Sequence, residues 1–116
     1  MKPEKMIDYI EIPTSDIEQT KKFFGALMGW KFEDFGPAYS CFNDGRMKGG
    51  FFESEKLISP ANGSILLVFY VSDLEMAYKD VRSLGGKISK EIFSFPGGRR
   101  FHFTEPCGNE FAFWTE

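Results

Sequence analysis

Hydrophobic and polar positions follow the same order twice along the chain. An apolar, strand-like run precedes a Ser-Asp-hydrophobic-Glu sequence at residues 15–18 and again at residues 72–75. Apolar residues then recur at helical spacing, first over residues 16–28 and later from Asp73 to Gly85-Gly86. Asp73 follows Asp16 by 57 positions in a chain of 116 residues. The pattern predicts two tandem copies of one unit.

The ends of both helices carry recognisable signals. Each Ser-x-x-Glu sequence is a capping box, in which the Ser side chain accepts a hydrogen bond from the first helical turn. Ser15 and Ser72 are therefore the predicted N-cap residues. Gly29 and Gly86 follow the two apolar stripes and are predicted to end the helices, because Gly adopts the left-handed conformation at little cost.

Strand signals surround the two helices. They occupy residues 6–12, 30–33, 39–42 and 47–53 in the first half, and 65–71, 87–91, 100–104 and 110–114 in the second. Residues 54–64 lack a regular period and predict a surface linker, and residues 93–98 predict a loop or an irregular edge. Four strands between the helices exclude a ferredoxin-like βαββαβ order, which has two. The prediction is one α+β domain, residues 1–116, of two βαβββ modules (about 6–53 and 65–115) that form two curved mixed sheets around a cup, with the helices on the outer faces.

Composition narrows the function classes. A net charge of −3 and a pI near 5.2 disfavour nucleic-acid binding, which needs a basic face. No apolar run has the length of a membrane span, and the charged N-terminus lacks a leader-like apolar region, so a cytoplasmic protein is expected. Cys41 and Cys107 stand alone in the sequence, which favours reduced, packed thiols. The Gly-Gly pairs do not match a phosphate-binding motif.

Three stretches together resemble a known family. They are IEIPTSDIEQTKKFFGALMGWKF near the start, VFYVSDLEMAYKDVRSLGGKI in the middle and FTEPCGNEFAFW at the end. In this order they resemble the vicinal oxygen chelate superfamily, which includes glyoxalase I, bleomycin-resistance proteins and extradiol dioxygenases. The most similar subgroup is the glyoxalase-related proteins of unassigned activity. The resemblance implies a homodimer, in which paired modules commonly complete the cavity.

The resemblance also assigns positions to an ancestral metal site. In metal-dependent members the first-strand ligand lies seven residues before the Asp that follows each predicted cap, and here these positions are Tyr9 and Leu66. The last-strand ligand falls four residues after Gly108, at Ala112, and the fourth position is Phe51 or Glu53. Because Leu and Ala carry no coordinating atom, the resemblance implies that the divalent-metal site has been lost and that no cofactor is used.

Strand alternation predicts the side chains that line the cup. The predicted set is Tyr9, Glu11, Leu66, Val68, Tyr70, His102, Thr104, Glu110, Ala112 and Trp114, with Phe101, Phe103, Phe111 and Phe113 turned towards the helices. Tyr9, Tyr70 and Trp114 either stack on a planar ligand or fill the cup themselves. Glu11 is a candidate general base and His102 a candidate acid or base, although a purely structural role is the alternative for each. Arg99 and Arg100 either clamp a carboxylate from a mobile loop or are solvated.

Two functions from different classes follow from these residues. The first is a metal-independent protein that binds a small, partly aromatic ligand through Tyr9, Leu66, Val68, Tyr70, Ala112 and Trp114. The second is a lyase-like or isomerase-like enzyme that acts on a small carbonyl compound through Glu11 and His102. A cup filled by its own side chains, in a protein that works through an interface, is the third possibility.

Overall fold

The computed structural model describes residues 2–116, and within them the chain runs twice through the order βαβββ. The first module consists of β1 (Tyr9–Thr14), α1 (Ile17–Met28), β2 (Phe32–Asp34), β3 (Tyr39–Asn43) and β4 (Lys48–Glu53). The second consists of β5 (Leu67–Tyr70), α2 (Leu74–Ser83), β6 (Lys87–Phe95), β7 (Gly98–Thr104) and β8 (Glu110–Thr115). A short 3-10 turn, Pro60–Asn62, lies in the connection between the modules. The predicted α+β class and tandem order are confirmed.

Each module forms one four-stranded mixed sheet. The strand orders are β1-β4-β3-β2 and β5-β8-β7-β6, so the first and last strands of each module are neighbours. These neighbours run parallel, with Ile12 opposite Phe51 in one sheet and Val68 opposite Ala112 in the other. The remaining pairs are antiparallel. The repeat seen in the sequence is therefore a repeat of sheet topology.

The N-caps of the helices are aspartates, so the prediction of Ser15 and Ser72 was wrong. The Asp16 carboxylate accepts a hydrogen bond of 3.0 Å from the Gln19 N–H, and Asp73 accepts one of 3.0 Å from the Met76 N–H. A carboxylate at this place satisfies a free N–H of the first turn and also interacts favourably with the positive end of the helix dipole.

The C-termini of the helices differ by one residue between the modules. Gly29 ends α1 with a φ of 73°, as predicted. In α2 the left-handed residue is Gly85, with a φ of 97°, while the Gly86 N–H donates to the Val81 carbonyl at 2.9 Å. The assignment of the stop to Gly86 was one residue late, because α2 is shorter than α1.

Several strand boundaries also differ from the prediction. β1 begins at Tyr9 and continues to Thr14, and β5 is confined to Leu67–Tyr70. Residues 93–95 belong to β6, Gly98 begins β7, and only Pro96 and Gly97 lie between these strands. The pairing of β6 with β7 shifts register between Ile88 and Lys90 and again between Lys90 and Phe93. Residues 93–95 pair regularly with Gly98 to Arg100, so the predicted loop is confined to the turn at Pro96 and Gly97.

One aromatic core joins the two modules. The Phe24 ring of α1 lies 5.5 Å from Phe51 of the first sheet and 5.3 Å from Phe111 of the second. Trp30 stacks on Phe42 at 4.1 Å and meets the edge of Phe69 at 5.9 Å. The predicted orientation of four second-sheet side chains is confirmed, because all are buried in this core: Phe101, Phe103, Phe111 and Phe113. The helix-side faces of both sheets therefore belong to a single core.

A polar connection reinforces this junction. The buried Asn109 side chain donates from Nδ2 to the Pro13 carbonyl at 2.7 Å, and its Oδ1 accepts from the Ile58 N–H at 2.9 Å. Its backbone N–H donates to Oε1 of the buried Glu105 at 2.7 Å. The turn between β7 and β8 thus fixes both the linker and β1.

The face of each sheet opposite the helices points away from the common core, and we call it the open face. Open-face side chains include exposed apolar or aromatic residues, with Tyr9 40% exposed, Val68 42% and Tyr70 53%. Among residues 2–116, neither helix combines the length and apolar character needed to cross a bilayer.

Candidate functional site

The open face of the first sheet carries a hydrogen-bonded group that we call the tyrosine cluster: Tyr9, Glu11, Tyr39 and Cys41. The Tyr9 and Tyr39 hydroxyls lie 2.5 Å apart, and the Tyr39 hydroxyl donates to Glu11 Oε2 at 2.9 Å. Cys41 Sγ lies 3.2 Å from the Tyr9 hydroxyl. Since β1 and β3 both pair with β4, three strands bring these side chains together.

Gly50 of β4 provides the space for this cluster. It lies opposite Glu11 on one side and Cys41 on the other. A Cβ atom at this position would collide with the phenol of Tyr39 and would stand 2.7 Å from the Tyr9 hydroxyl. The close contact of the two tyrosines therefore requires glycine at this point of the strand.

Burial and hydrogen bonding keep both phenols protonated. Burial, assisted by hydrogen bonds with Tyr9 and Glu11, raises the pKa of Tyr39 well above its usual range. Burial and the contact with Cys41 also raise the pKa of Tyr9. Glu11 itself is exposed at this face. The arrangement makes Glu11 a hydrogen-bond acceptor held by Tyr39.

The open face of the second sheet holds a histidine and a carboxylate in contact. His102 of β7 is only 6% exposed, and its Nδ1 lies 3.0 Å from Oε2 of Glu110 on β8. A carboxylate acceptor selects the form of the imidazole that carries a proton on Nδ1. The Nε2 atom of the same ring is buried and has no hydrogen-bond partner within residues 2–116.

Aromatic side chains continue this face towards the β5 edge. Tyr70 meets Trp114 edge-on with a ring separation of 5.3 Å, and Phe95 lies 6.3 Å from Trp114 on the other side. Val68 and Tyr70 also border a groove of about 800 Å³, which extends along β5 to Trp30, Arg46 and Met76. Besides aromatic residues, four charged residues line this groove: Asp44, Arg46, Asp73 and Asp80. A groove that combines apolar walls with a small number of polar groups is the ordinary form of a small-molecule site.

The predicted site residues thus fall into two groups, one on each sheet. Tyr9 and Glu11 contact residues of the first sheet, whereas Val68, Tyr70, Ala112, Trp114 and His102 lie together on the second. Leu66 is half-buried just before β5. Arg99 forms an ion pair with Glu75 of α2 at 2.6 Å, and Arg100 lies in β7, so the prediction of a mobile arginine loop was wrong.

The residues at the ancestral ligand positions do not fit a divalent cation. Ala112 is fully buried without a donor atom, and Leu66 also has none. Phe51 belongs to the core, whereas the open-face positions of β4 nearest the tyrosine cluster are Gly50 and Phe52, so the two candidates for the fourth position were misplaced. Within residues 2–116 no three His, Cys, Asp or Glu residues are grouped suitably for a metal ion. A catalytic metal needs about three such ligands.

Several residues of these faces were not identified from the sequence. Tyr39 and Gly50 complete the tyrosine cluster, and Phe93 lies beside His102 with a ring separation of 6.0 Å. The signal for Tyr39 was present in the alternation of β3, which places it on the same side as Cys41. The signal for Phe93 was hidden by the register shifts of β6.

Comparison with known proteins gives one consistent result. The Glyoxalase/Bleomycin resistance protein/Dioxygenase superfamily profile matches residues 6–113. A glyoxylase-like domain-containing protein from Didymella fabae is 32% identical over 123 residues, covering 94% of this chain and 92% of the relative.

Solved structures share the same fold. A glyoxalase-related enzyme from Fulvimarina pelagi aligns with a TM-score of 0.78 at 15% identity, covering 97% of this chain and 88% of that one. The fosfomycin resistance protein FosX from Mesorhizobium loti aligns with a TM-score of 0.76 at 15% identity, covering 99% of this chain and 94% of that one. At these identities the similarity establishes the fold alone.

Proposed function

Because the chain belongs to the Glyoxalase/Bleomycin resistance protein/Dioxygenase superfamily, we propose that it binds a small, partly aromatic molecule without using a metal ion. The observation that supports this function best is the edge-on pair of Tyr70 and Trp114 on the second open face, in which Trp114 is partly buried and Tyr70 is exposed and borders the groove. Leu66, at one of the ancestral ligand positions, is half-buried and supplies apolar surface instead of a metal ligand, whereas Ala112, at another, is fully buried. Binding then rests on stacking and apolar contact.

A homodimer is part of this proposal. The open faces expose Tyr9, Val68 and Tyr70 in a single chain, although large apolar side chains on a sheet face normally gain stability by burial. A second copy that places its first-sheet open face against the second-sheet open face of this chain would cover them. It would also bring Tyr9 and Glu11 of one protomer towards Tyr70 and Trp114 of its partner.

Ligand binding and metal content are tested together. The purified chain is analysed by metal mass spectrometry, treated with EDTA, and titrated with benzoate and benzyl alcohol while Trp fluorescence and the melting temperature are recorded. We expect substoichiometric metal and identical binding before and after EDTA. Trp114→Ala should abolish the fluorescence response and binding. A stoichiometric divalent metal whose removal abolishes binding would overturn the proposal.

The dimer has its own test. Analytical ultracentrifugation should give about twice the 13.3 kDa chain mass. Phe52→Lys places a charge on the open face of β4, and we expect it to shift the protein towards monomer. Leu84→Lys changes an exposed apolar residue next to α2, away from the open faces, and should leave the dimer intact. A wild-type chain that sediments as a monomer at all concentrations would contradict this part of the proposal.

A second candidate function rests on the contact between His102 and Glu110. An imidazole oriented by a carboxylate can abstract or return a proton, and Glu11 would act from the facing sheet of a partner copy. The substrate would be a small carbonyl compound. Incubating the protein with hydroxyacetone in D2O and following loss of the carbon-bound protons by NMR tests this chemistry. Exchange that His102→Gln and Glu11→Gln both abolish supports an acid/base enzyme; exchange at the buffer rate excludes it for this substrate.

A further inference from the structure

Two side-chain nitrogens on the second open face lack hydrogen-bond partners within residues 2–116. They are Nε2 of His102 and Nε of Arg100, and both are closed off from solvent. The two residues are two positions apart on β7, so their side chains project from the same face with a backbone separation of about 7 Å. Because a buried polar atom without a partner is costly, each such nitrogen in a folded protein calls for an explanation.

The charges around these nitrogens favour an anion. Lys90 lies opposite His102 in the β6–β7 register, and Arg100 forms no ion pair with a carboxylate of the described chain. Glu110 is the carboxylate that faces His102, and its Oε2 is already engaged with Nδ1. Arg100 and Lys90 therefore supply two positive charges beside the one negative charge of Glu110. An additional carboxylate between Arg100 and His102 would bring the charges closer to balance.

Phe93 covers this position. Its ring lies 6.0 Å from the His102 ring, while the Arg100 guanidinium and the Lys90 ammonium lie 5.2 and 4.6 Å from its centre. The register shift between Lys90 and Phe93 leaves the two residues before Phe93 without regular pairing, while Phe93 itself lies opposite Arg100. Rotation of one side chain, without a change in the sheet, would open the space above both nitrogens.

We propose that Arg100 and His102 form a carboxylate-binding subsite, covered by Phe93, for an aromatic acid whose ring lies against Trp114. Trp114 is opposite Arg100 in the β7–β8 register, which places the ring and the carboxylate of one small ligand within reach of both. Nε of Arg100 donates to one carboxylate oxygen and the protonated Nε2 of His102 to the other. If the imidazole is neutral beforehand, it takes its second proton from solvent. This inference rests on the proposed ligand-binding function and names the ligand class.

Matched ligands and matched variants test the subsite. Benzoate is compared with benzyl alcohol, which has the same ring without the charge, by calorimetric titration. Arg100→Gln should weaken benzoate binding by at least about tenfold, the loss expected when a charge-assisted hydrogen bond is removed, and should leave benzyl alcohol unchanged. Arg99→Gln removes the same charge from the neighbouring residue, which binds Glu75 instead, and should change benzoate binding less than about twofold.

The chain has a single histidine, so its ring can be followed without assignment. In 15N-labelled protein near neutral pH, benzoate should move the Nε2 resonance towards that of a protonated imidazole. Benzoate should also slow modification of the ring by diethyl pyrocarbonate, and Phe93→Ala should accelerate that modification in the free protein. Equal affinities for benzoate and benzyl alcohol, or an unchanged Nε2 resonance at saturation, would overturn the carboxylate subsite and leave the proposed function standing. Failure of both ligands to bind would overturn both.

Discussion

The hydroxyl groups of Tyr9 and Tyr39 are hydrogen-bonded across the open face of the first sheet, above the bare backbone of Gly50. Gly50→Ala should destabilise the chain by about 1–3 kcal/mol, because the added methyl group displaces both phenols. Chemical denaturation measures the loss. Gly25→Ala is the control, since a Cβ atom there meets only the Trp30 carbonyl at an ordinary 3.6 Å. In the interior of α1 this change should stabilise the helix by about 0.5–1 kcal/mol. Equal effects of the two substitutions would refute this role for Gly50.

The hydrogen bonds of Tyr39 predict a specific response to alkaline pH. Its folded-state pKa lies above that of an unfolded tyrosine, so its contribution to stability is complete below about pH 10 and disappears as the pH rises further. Tyr39→Phe should cost about 1 kcal/mol at neutral pH through the lost hydrogen bonds. The variant should then lose less stability than the wild type between about pH 9 and pH 11.

Urea denaturation at a series of pH values measures this difference. Tyr70→Phe, which removes the hydroxyl of a more exposed tyrosine on the other sheet, is the matched control for the substitution. A Tyr39→Phe profile parallel to that of the wild type would show that the phenol is not held in its neutral form by the fold.

Asn109 is expected to be among the most sensitive polar positions. Asn109→Ala leaves the Pro13 carbonyl and the Ile58 N–H without their partners, and we expect a loss of about 3 kcal/mol in the free energy of unfolding. Asn62→Ala, at an exposed residue whose side chain makes one long hydrogen bond of 3.4 Å, should cost about 0.5 kcal/mol or less. Thermal and urea unfolding of both variants provide the comparison, and similar losses would argue against a special role for Asn109.

Glu105 predicts a stability change in the acidic range. Burial raises the pKa of its carboxyl group, although backbone N–H groups partly oppose the shift, and Oε2 has no partner in the described chain. The protonated form is therefore favoured by folding. The contribution of Glu105 to stability is complete below about pH 4, the pKa of a glutamate in the unfolded chain. It is lost as the pH rises through the higher pKa of Glu105 in the folded protein.

Glu105→Gln removes this ionisation and retains an oxygen for the Asn109 N–H. The stability of the variant relative to the wild type should rise as the pH increases from about 4 to 7. This holds whatever pH-independent change in stability the substitution causes. Melting temperatures over that range give the slope of the difference. A difference that is independent of pH would show that the carboxyl group ionises equally in both states.

The fold was accessible from the sequence because hydrophobic periodicity and glycine positions act locally. Ile10 and Ile12 alternate towards the first helix, and Gly29 ends that helix, without any information from distant residues. The cap assignments failed because Ser and Asp are adjacent and both favour the same position. Which one caps the helix depends on a backbone angle that composition does not reveal.

The open faces were only partly predictable, because their contacts depend on strand register. Alternation indicated that the side chains of Tyr9, Glu11 and His102 point away from the helices. It did not indicate which side chains they contact. His102 lies directly opposite Ala112 and reaches Glu110 as a diagonal neighbour. Such a contact requires the offset between two strands, which is fixed by their turn and by the core beneath them.

Phe24 contacts both sheets, so neither βαβββ module has a complete hydrophobic core of its own. Cutting the polypeptide between residues 54 and 64 would leave two fragments that each expose an aromatic surface. Expressed separately, they should aggregate; produced in the same cell, they should reassemble around this ring. A duplicated half-length ancestor of such a chain would have needed to pair with itself from the beginning.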